Sequence, residues 1–469
     1  MSDRLVAAGN PLELCLHLTV DRALPRLHIP AWGSNEEALF ILYGRVWIYI
    51  TIIMFSFLRS TQKRVYLDNA GATHISKQSQ DALIASLATY GNASGIHKEG
   101  VEAGNLLDKA RSLCASTLNA HGYEIYFASS GTESCNMAIL GTYNAHQKTS
   151  INIPHIITST IEHPSVLEPI RHLERTGKAR VTYIPVSKEG IVRVQDIREA
   201  LFEDTILVSI MYANNEIGTI LPIKEIGRAI DEWKRENGRT FNEYPYLHTD
   251  ACQAANYLNL DVVRLKCHLM TVNGSKCYGP KGTALLYKRE GVRLSEVLFG
   301  GGQERGLRSG TENAPSLYAF GVALREAYEM RERESARLRD VRDYAYEELQ
   351  KSIQGITFYG AWDEYTSHNG ARMLHDEKRL PNNINCRIPG ISSDEMIIRL
   401  DAKGFAVSHK SACASSETDG SYVIEALGAS REEALQNIRI TLGRDTTKGD
   451  MDALVEAVKE IKKNFAKLP

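Results

Sequence analysis

Hydrophobic positions follow two alternating spacings along most of the chain. Short apolar runs of strand length recur between residues 124 and 272, and apolar residues at helical spacing lie between most of them. This alternation predicts an α/β fold with a mostly parallel sheet and helices on both faces. The predicted strands are Glu124–Ala128, Ile156–Thr160, Val181–Pro185, Thr205–Ala213, Tyr244–Asp250 and Leu269–Val272.

Helical patterns lie before and after these strands. Two are predicted over Gln78–Tyr90 and Glu99–Asn119, and a long charged helix over Glu312–Ile353 leads into a smaller C-terminal α/β domain. We expect a large domain over residues 78–320 and a small domain made of residues 63–77 and 321–469. The small domain is predicted to contain a strand at Asn382–Arg387, a helix at Ser393–Lys403 and a final amphipathic helix from Asp450.

Residues 1–62 do not fit this pattern. Residues 38–58 are apolar apart from Gly44, Arg45 and the Tyr, Thr and Ser residues, and the unbroken run of 13 residues within them is short of the roughly 20 that span a bilayer. Two interpretations stay open. The segment is an N-terminal membrane anchor that leaves the rest of the chain in the cytoplasm, or translation begins at Met54. A signal peptide is disfavoured because the apolar run starts late and no small-residue cleavage site follows it, and a mitochondrial transit peptide is disfavoured by the acidic residues before the run.

Composition narrows the class of protein. The 469 residues are 43% hydrophobic and 24% charged with a formal net charge of −2, which is typical of a globular protein and not of a nucleic-acid binder. The eight cysteines are scattered without paired spacing, so we expect reduced thiols and neither a disulfide framework nor a metal site.

Lys276 is the first candidate for chemistry. It lies among Gly and Ser residues directly after the apolar run that ends at Val272, where a strand turns sharply. Most lysines are simply exposed. A lysine held in such a turn can instead attack a carbonyl group as a Schiff-base amine.

Partners for such a lysine lie upstream. Asp250 ends a predicted strand and Gln253 follows it, at the edge where open α/β sheets bind ligands. The strand that ends at Ala128 is followed by small residues that open a helix and include Gly131 and Thr132, an arrangement suited to a phosphate group. A lysine, a carboxylate and a phosphate turn are what pyridoxal phosphate needs.

These motifs resemble the class V, fold type I pyridoxal-phosphate enzymes, and in particular the cysteine desulfurases of the nitrogen-fixation and iron–sulfur assembly type. The resemblance runs from about residue 64 to the C-terminus and implies a large domain with a mostly parallel seven-stranded sheet and a smaller C-terminal α/β domain. The matching stretches are Tyr66–Ala70, Gly91–Ser94, Ser130–Ser134, Glu162–His163, Asn214–Gly218, Asp250–Gln253, Lys276–Gly282, Arg308–Thr311, Ser411–Cys413, Arg439 and Leu442–Arg444.

The resemblance implies a role for each matching residue. Lys276 would hold the cofactor and move the substrate Cα proton, Asp250 would hold the proton on the ring nitrogen, and His163 would stack on the ring and take the thiol proton. Arg439 would bind the substrate carboxylate, and Asn215 would contact substrate and ring. The other cofactor contacts implied are Gln253 on the ring hydroxyl, Gly131, Thr132, Asn273 and Ser275, and Thr311 on the phosphate of a partner subunit, which implies a homodimer.

Cys413 selects the reaction. Its neighbours are small and polar, which favours an exposed, reactive thiol over an inert buried one, and Lys410 is placed to lower its pKa. The thiolate would take sulfur from L-cysteine as a persulfide, release alanine, and pass the sulfur to an acceptor such as an iron–sulfur scaffold or a tRNA-thiolation protein. Two alternatives stay open: a selenocysteine lyase, and an inactive scaffold tethered by its N-terminus. A cytoplasmic location is expected, or a mitochondrial one if the chain is eukaryotic.

One residue departs from the family pattern. Where His usually precedes the lysine, this chain has Ser275, which can donate a hydrogen bond to a phosphate but carries no positive charge. We therefore expect weaker cofactor binding than is usual in the family.

Overall fold

The structure is a computed structural model that describes residues 63–362, 366–368, 371–373, 378–409 and 420–465. The predictions for residues 1–62, Lys410 and Cys413 lie outside these residues. In the described part of the chain, no helix combines the length and the apolar character that crossing a membrane requires.

A seven-stranded mixed sheet occupies the centre of the fold. Its spatial order is β2-β8-β7-β6-β5-β3-β4, and every neighbouring pair is parallel except the two that involve β8. The strands are β1 (Val65–Tyr66), β2 (Ile125–Ala128), β3 (His155–Ser159), β4 (Arg180–Ile184), β5 (Thr205–Ser209), β6 (Tyr246–Asp250), β7 (Leu269–Asn273), β8 (Ala284–Lys288), β9 (Thr357–Phe358), β10 (Thr366–His368), β11 (Ala371–Met373), β12 (Asn383–Arg387), β13 (Phe405–Ala406) and β14 (Asn437–Thr441).

Helices connect these strands and cover the sheet. Along β2, Ile125 and Phe127 pack into one apolar cluster, whereas Tyr126 and Ala128 pack into another, so both faces of the sheet are buried. The helices are α1 (Lys77–Ser86), α2 (Lys98–Leu118), α3 (Gly131–Gln147), α4 (Pro164–Arg175), α5 (Val194–Glu199), α6 (Ile223–Glu236), α7 (Val262–Leu265), α8 (Ala314–Ser352), α9 (Ser393–Ala402), α10 (Tyr422–Ala426), α11 (Arg431–Ala434) and α12 (Lys448–Phe465).

Smaller sheets are formed outside residues 125–288. Strands β14, β12 and β9 make an antiparallel three-stranded sheet, and β1 pairs with β13 in parallel, which joins the segment around residue 65 to the C-terminal part of the chain. The division into a large domain over residues 78–320 and a small domain over residues 63–77 and 321–469 stays a prediction that agrees with this arrangement.

The predicted mostly parallel sheet is confirmed, and three local predictions need correction. Strand β8 was not predicted as a separate element. The predicted strand over residues 205–213 ends at Ser209, because pairing with β3 stops there and the N–H of Met211 donates to the side chain of Glu162. On the other side, the N–H of Tyr212 still donates to the carbonyl of Asp250. Helix α1 ends at Ser86 and not at Tyr90, because the chain turns there with the N–H of Thr89 on the carbonyl of Ser86.

Candidate active site

A cavity of about 120 Å³ lies where several strands of the central sheet end. Its lining comes from the segments that follow β2, β3, β5, β6 and β7, together with residues next to β1 and on β14. A larger cavity of about 740 Å³ lies against α6 and α8, but it contains none of the predicted site residues, so volume does not decide the site. The smaller cavity is lined by Ala70, Gly71, Gly131, Thr132, His163, Ser165, Met211, Ala213, Asn215, Asp250, Cys252, Gln253, Asn273, Lys276 and Arg439.

Lys276 reaches the cavity from a single helical turn that follows β7. The turn spans Gly274–Lys276, and a Cβ at Gly274 would lie only 2.2 Å from the hydroxyl of Thr283, so a side chain there would clash. The Lys276 Nζ donates to the carbonyl of Ala70 at 2.9 Å and also to that of Gly71. Backbone carbonyls therefore hold the amine in place inside the cavity.

Asp250 ends β6 and is 7% exposed. One carboxylate oxygen accepts the N–H of Cys252 at 2.9 Å, and the thiol of Cys135 lies 3.9 Å from the other. His248, two residues earlier, is fully buried between the hydroxyls of Ser209 and Thr271, and burial lowers its pKa to about 4. Asp250 thus has a neutral histidine as its neighbour along the strand and can receive a cationic N–H from the cavity.

The N-terminus of α3 forms the phosphate side of the cavity. Ser130 caps this 17-residue helix by accepting the N–H of Glu133, and Gly131 and Thr132 in the first turn line the cavity. A Cβ at Gly131 would lie 3.1 Å from the sulfur of Cys252, so glycine permits close approach. The N-terminus of a helix of this length attracts anions through its N–H groups and dipole.

The same turn is braced by an ion pair. The Nε of Arg308 lies 2.7 Å from Glu133, whose other oxygen accepts the N–H of Ser129. Burial would raise the pKa of Glu133, but the hydrogen bonds from Arg308 and Ser129 outweigh it and the pKa is lowered. Glu133 is therefore ionised and joins the phosphate turn to the segment that carries Thr311.

His163 caps α4 and faces the cavity from the end of the β3 segment. Its Nδ1 lies 3.1 Å from the backbone N of Ser165 and 2.8 Å from the hydroxyl of that residue. In the tautomer that carries the ring proton on Nδ1, that proton is donated to the Ser165 hydroxyl, and Nε2 is the nitrogen that can accept a proton. Burial is the main cause that lowers the pKa of His163, the positive charges of Lys276 and Arg439 lower it further, and Asp250 opposes them.

Arg439 enters from β14 and is 1% exposed. Its guanidinium donates to the carboxylate of Asp68 at 2.7 Å and to the carbonyl of Asn215 at 3.0 Å. Its buried Nε has no hydrogen-bond partner among the residues that the structure describes. A positive charge that is buried and held in one orientation is suited to binding a substrate carboxylate.

The structure brings most of the predicted site residues together. Gly131, Thr132, His163, Asn215, Asp250, Gln253, Asn273, Lys276 and Arg439 all line the cavity. Ser275 and Thr311, both within the described part of the chain, do not line it, and the Ser275 hydroxyl donates instead to the side chain of Asn273 at 3.1 Å. Their roles in phosphate binding, like that of Cys413, stay predictions.

Sequence reasoning missed several residues of the site. Asp68 forms the ion pair with Arg439, Ala70 and Gly71 hold the lysine, and Ser165 orients His163. The signal for Asp68 and Ala70 was their place in the matching stretch Tyr66–Ala70, to which no role was assigned, and Gly71 directly follows that stretch. Ser165 carries no sequence signal beyond its position two residues after a histidine.

The chain matches the family described as Aminotransferase class-V over residues 65–454. It is 38% identical over 401 residues to a cysteine desulfurase IscS of Dictyoglomus turgidum, which covers 85% of this chain and 95% of the relative. It is 40% identical over 400 residues to a cysteine desulfurase IscS of Methanosarcina thermophila, which covers 85% of this chain and 92% of the relative.

Solved structures show the same likeness. A protein described as NifS-like superimposes with a TM-score of 0.75 at 30% identity, covering 86% of this chain and all of the other. A NifS-like protein from Rickettsia africae gives a TM-score of 0.71 at 27% identity, covering 85% and 99% of the two chains.

Proposed function

The chain belongs to the aminotransferase class-V family, and from that premise and the geometry of its site we propose that it is a pyridoxal-phosphate-dependent cysteine desulfurase. It converts L-cysteine to L-alanine and keeps the sulfur on Cys413 as a persulfide. The observation that carries the proposal is one cavity that contains Lys276, Asp250, His163 and Arg439 beside the N-terminus of α3. The relatives named above are cysteine desulfurases and do not favour the selenocysteine lyase or scaffold alternatives.

The residues present fit pyridoxal phosphate. The amine of Lys276 matches the cofactor's aldehyde, the buried carboxylate of Asp250 matches its ring nitrogen, and the first turn of α3 with Thr132 matches its phosphate. Gln253, whose amide donates to the carbonyl of Ala70 at 3.0 Å, is placed to contact the ring hydroxyl.

When bound, pyridoxal phosphate supplies an electron sink for the substrate Cα. Asp250 keeps the proton on the ring nitrogen by ion pairing. Lys276 moves the proton at the substrate Cα through its Nζ, which the carbonyls of Ala70 and Gly71 hold within the cavity. Asp250 ends β6 and Lys276 lies in the turn that follows the adjacent strand β7, so the pairing of the two strands brings these residues together.

His163 and Arg439 act on the substrate. The neutral His163 accepts the proton of the substrate thiol, and its lowered pKa keeps the ring unprotonated at neutral pH. Arg439 binds the substrate carboxylate beside the backbone of Asn215. Together, Arg439 and His163 would orient the substrate so that its thiol faces His163.

Cys413 receives the sulfur. Its thiolate attacks the substrate sulfur, a sulfur–sulfur bond forms, the substrate carbon–sulfur bond breaks, and its electron pair is protonated to leave alanine. The persulfide then passes to an acceptor thiol, as iron–sulfur cluster assembly or tRNA thiolation requires. Lys410, three residues away, would lower the pKa of the Cys413 thiol.

A homodimer completes the site in this proposal. Thr311 does not line the cavity of its own subunit, which agrees with a contact to the phosphate of the partner. Large apolar side chains are exposed on the described surface at Tyr90 (80%), Ile96 (99%) and Phe299 (76%), and a second copy of the chain would cover such groups.

The direct test is turnover of L-cysteine by the full chain loaded with pyridoxal phosphate, in the presence of a thiol reductant. Alanine and sulfide should form in equal amounts, and Lys276→Ala should abolish both. The matched control is Lys281→Ala, which removes an exposed lysine five residues further along and should leave turnover unchanged. Equal loss in both variants, or sulfide without alanine, would refute the proposal.

A further inference from the structure

Glu162 has no role in the chemistry above, yet it is fully buried directly before His163. One side-chain oxygen, Oε1, accepts the hydroxyl of Ser159 at 2.6 Å and the N–H of Met211 at 3.0 Å. The other oxygen, Oε2, is buried without a hydrogen-bond partner among the described residues. Glu162 therefore joins the end of β3 to the segment that follows β5 through a single oxygen.

This geometry favours a neutral carboxyl group. A buried carboxylate with one oxygen left without a donor or a cation would be strongly destabilising, and protonation of Oε2 removes that charge. Burial raises the pKa of Glu162 to about 8 and the charge of Asp250 raises it too, while the hydrogen bonds from Ser159 and Met211 oppose them. The proton on Oε2 leaves Oε1 as the acceptor for both donors.

The backbone of Glu162 makes a third connection. Its carbonyl accepts the hydroxyl of Tyr422, the first residue of α10, at 2.5 Å. Ser421, which caps the same helix, donates to the carboxylate of Glu216 at 2.5 Å, and Glu216 directly follows Asn215. Helix α10 is thus attached to the neighbours of two residues that line the cavity.

We propose that Glu162 is a positioning residue: as a neutral acid it fixes the strand ends beside His163, and through its carbonyl it ties α10 to the same point. The proposal rests on the proposed desulfurase function for its kinetic readout. A rigid junction one residue before His163 sets the direction of the imidazole ring. Glu162 touches neither substrate nor cofactor in this account and acts only through His163.

Two substitutions test the acceptor role. Glu162→Gln keeps an oxygen at Oε1 and carries no charge, so it should keep kcat within about threefold of the wild type. Glu162→Leu removes the acceptor and should lower kcat at least about tenfold, with a smaller change in KM, because a displaced general base loses proton-transfer efficiency. Tyr422→Phe removes one hydroxyl and should give an intermediate loss.

A second readout does not depend on the loaded enzyme. The rate of His163 carbethoxylation in the apoprotein, followed by peptide mass spectrometry, should rise at least about threefold in Glu162→Leu, because the ring is less firmly held. The control is Glu124→Leu. Glu124 is also buried and accepts two backbone N–H groups, from His121 and Glu290, but it does not line the cavity.

The outcomes separate the alternatives. If Glu162→Leu and Glu124→Leu lower thermal stability alike and leave kcat and His163 reactivity unchanged, Glu162 is only structural and the proposal fails. If Glu162→Gln is as impaired as Glu162→Leu, the carboxyl group must ionise and the neutral form is wrong. If the wild type makes no alanine from cysteine, the proposed function fails, while the His163 reactivity still tests the junction.

Discussion

The two sides of the cavity are built in different ways. On the sheet side, Asp250 ends β6 and Lys276 follows β7, and the parallel pairing of these two strands fixes where each strand ends. On the opposite side, Arg439 is placed by β14 and held by Asp68, a residue 371 positions away in sequence. The central sheet places the backbones of Asp250 and Lys276, whereas the orientation of the Arg439 guanidinium depends on a long-range ion pair.

After the complete loss expected for Lys276→Ala, the largest effect should come from substitution of Asp250 on the sheet side. Asp250→Asn removes the charge that holds a proton on the cofactor ring but keeps an oxygen for the N–H of Cys252, so the fold should persist. We expect kcat to fall at least about 100-fold, the scale of a lost acid–base group. Asp261→Asn, at the N-cap of α7, is the control, and similar activity in the two variants would contradict the assignment.

Substitution of Arg439 or of its partner Asp68, on the opposite side, should weaken substrate binding. Arg439→Ala should raise KM for L-cysteine about 10- to 100-fold, because charge-assisted hydrogen bonds contribute about 1.5–3 kcal/mol. Asp68→Asn should change KM less and add nothing in the double variant, since its partner is already gone. Additive effects of the two substitutions would show that Asp68 and Arg439 act independently.

His163 lines the same cavity, and the effect of its lowered pKa on activity can be tested by varying the pH. Burial and the nearby cations favour the neutral ring, so the pKa lies below the ordinary value of about 6.5. If neutral His163 accepts the thiol proton, activity should be lost on acidification, and the pH midpoint of that loss should lie below the ordinary pKa of histidine. The pH dependence of kcat/KM measures this midpoint. In His163→Asn, the loss of activity at low pH should be absent. An acid limb above pH 7 that survives in His163→Asn would exclude this role.

The smallest effect should come from the phosphate end. Ser275 donates to Asn273 and does not line the cavity, so Ser275→His should strengthen cofactor binding to the apoprotein only modestly, about two- to tenfold. Titration of the apoprotein with pyridoxal phosphate measures this. Unchanged or weaker binding in Ser275→His would show that a positive charge at this position is not what limits affinity.

The same contrast explains what the sequence could predict. Strand periodicity placed Asp250 and Lys276 at the edge of a parallel sheet, and the structure confirms that edge and the α/β fold. Periodicity could not place Asp68 against Arg439, because no local pattern encodes an ion pair between the segment after β1 and strand β14. The role of Glu162 could not be predicted from the sequence either, because it depends on hydrogen bonds with Met211 and Tyr422, which lie in two other segments of the chain.

The most direct test of the central claim is the fate of the sulfur atom after a single turnover. The loaded protein is mixed with one equivalent of L-cysteine without reductant, and its peptides are analysed by mass spectrometry. The account predicts that the peptide with Cys413 gains the mass of one sulfur atom as one alanine is released, and that Cys413→Ser gains none. Sulfur on another cysteine, or full alanine release by Cys413→Ser, would contradict it.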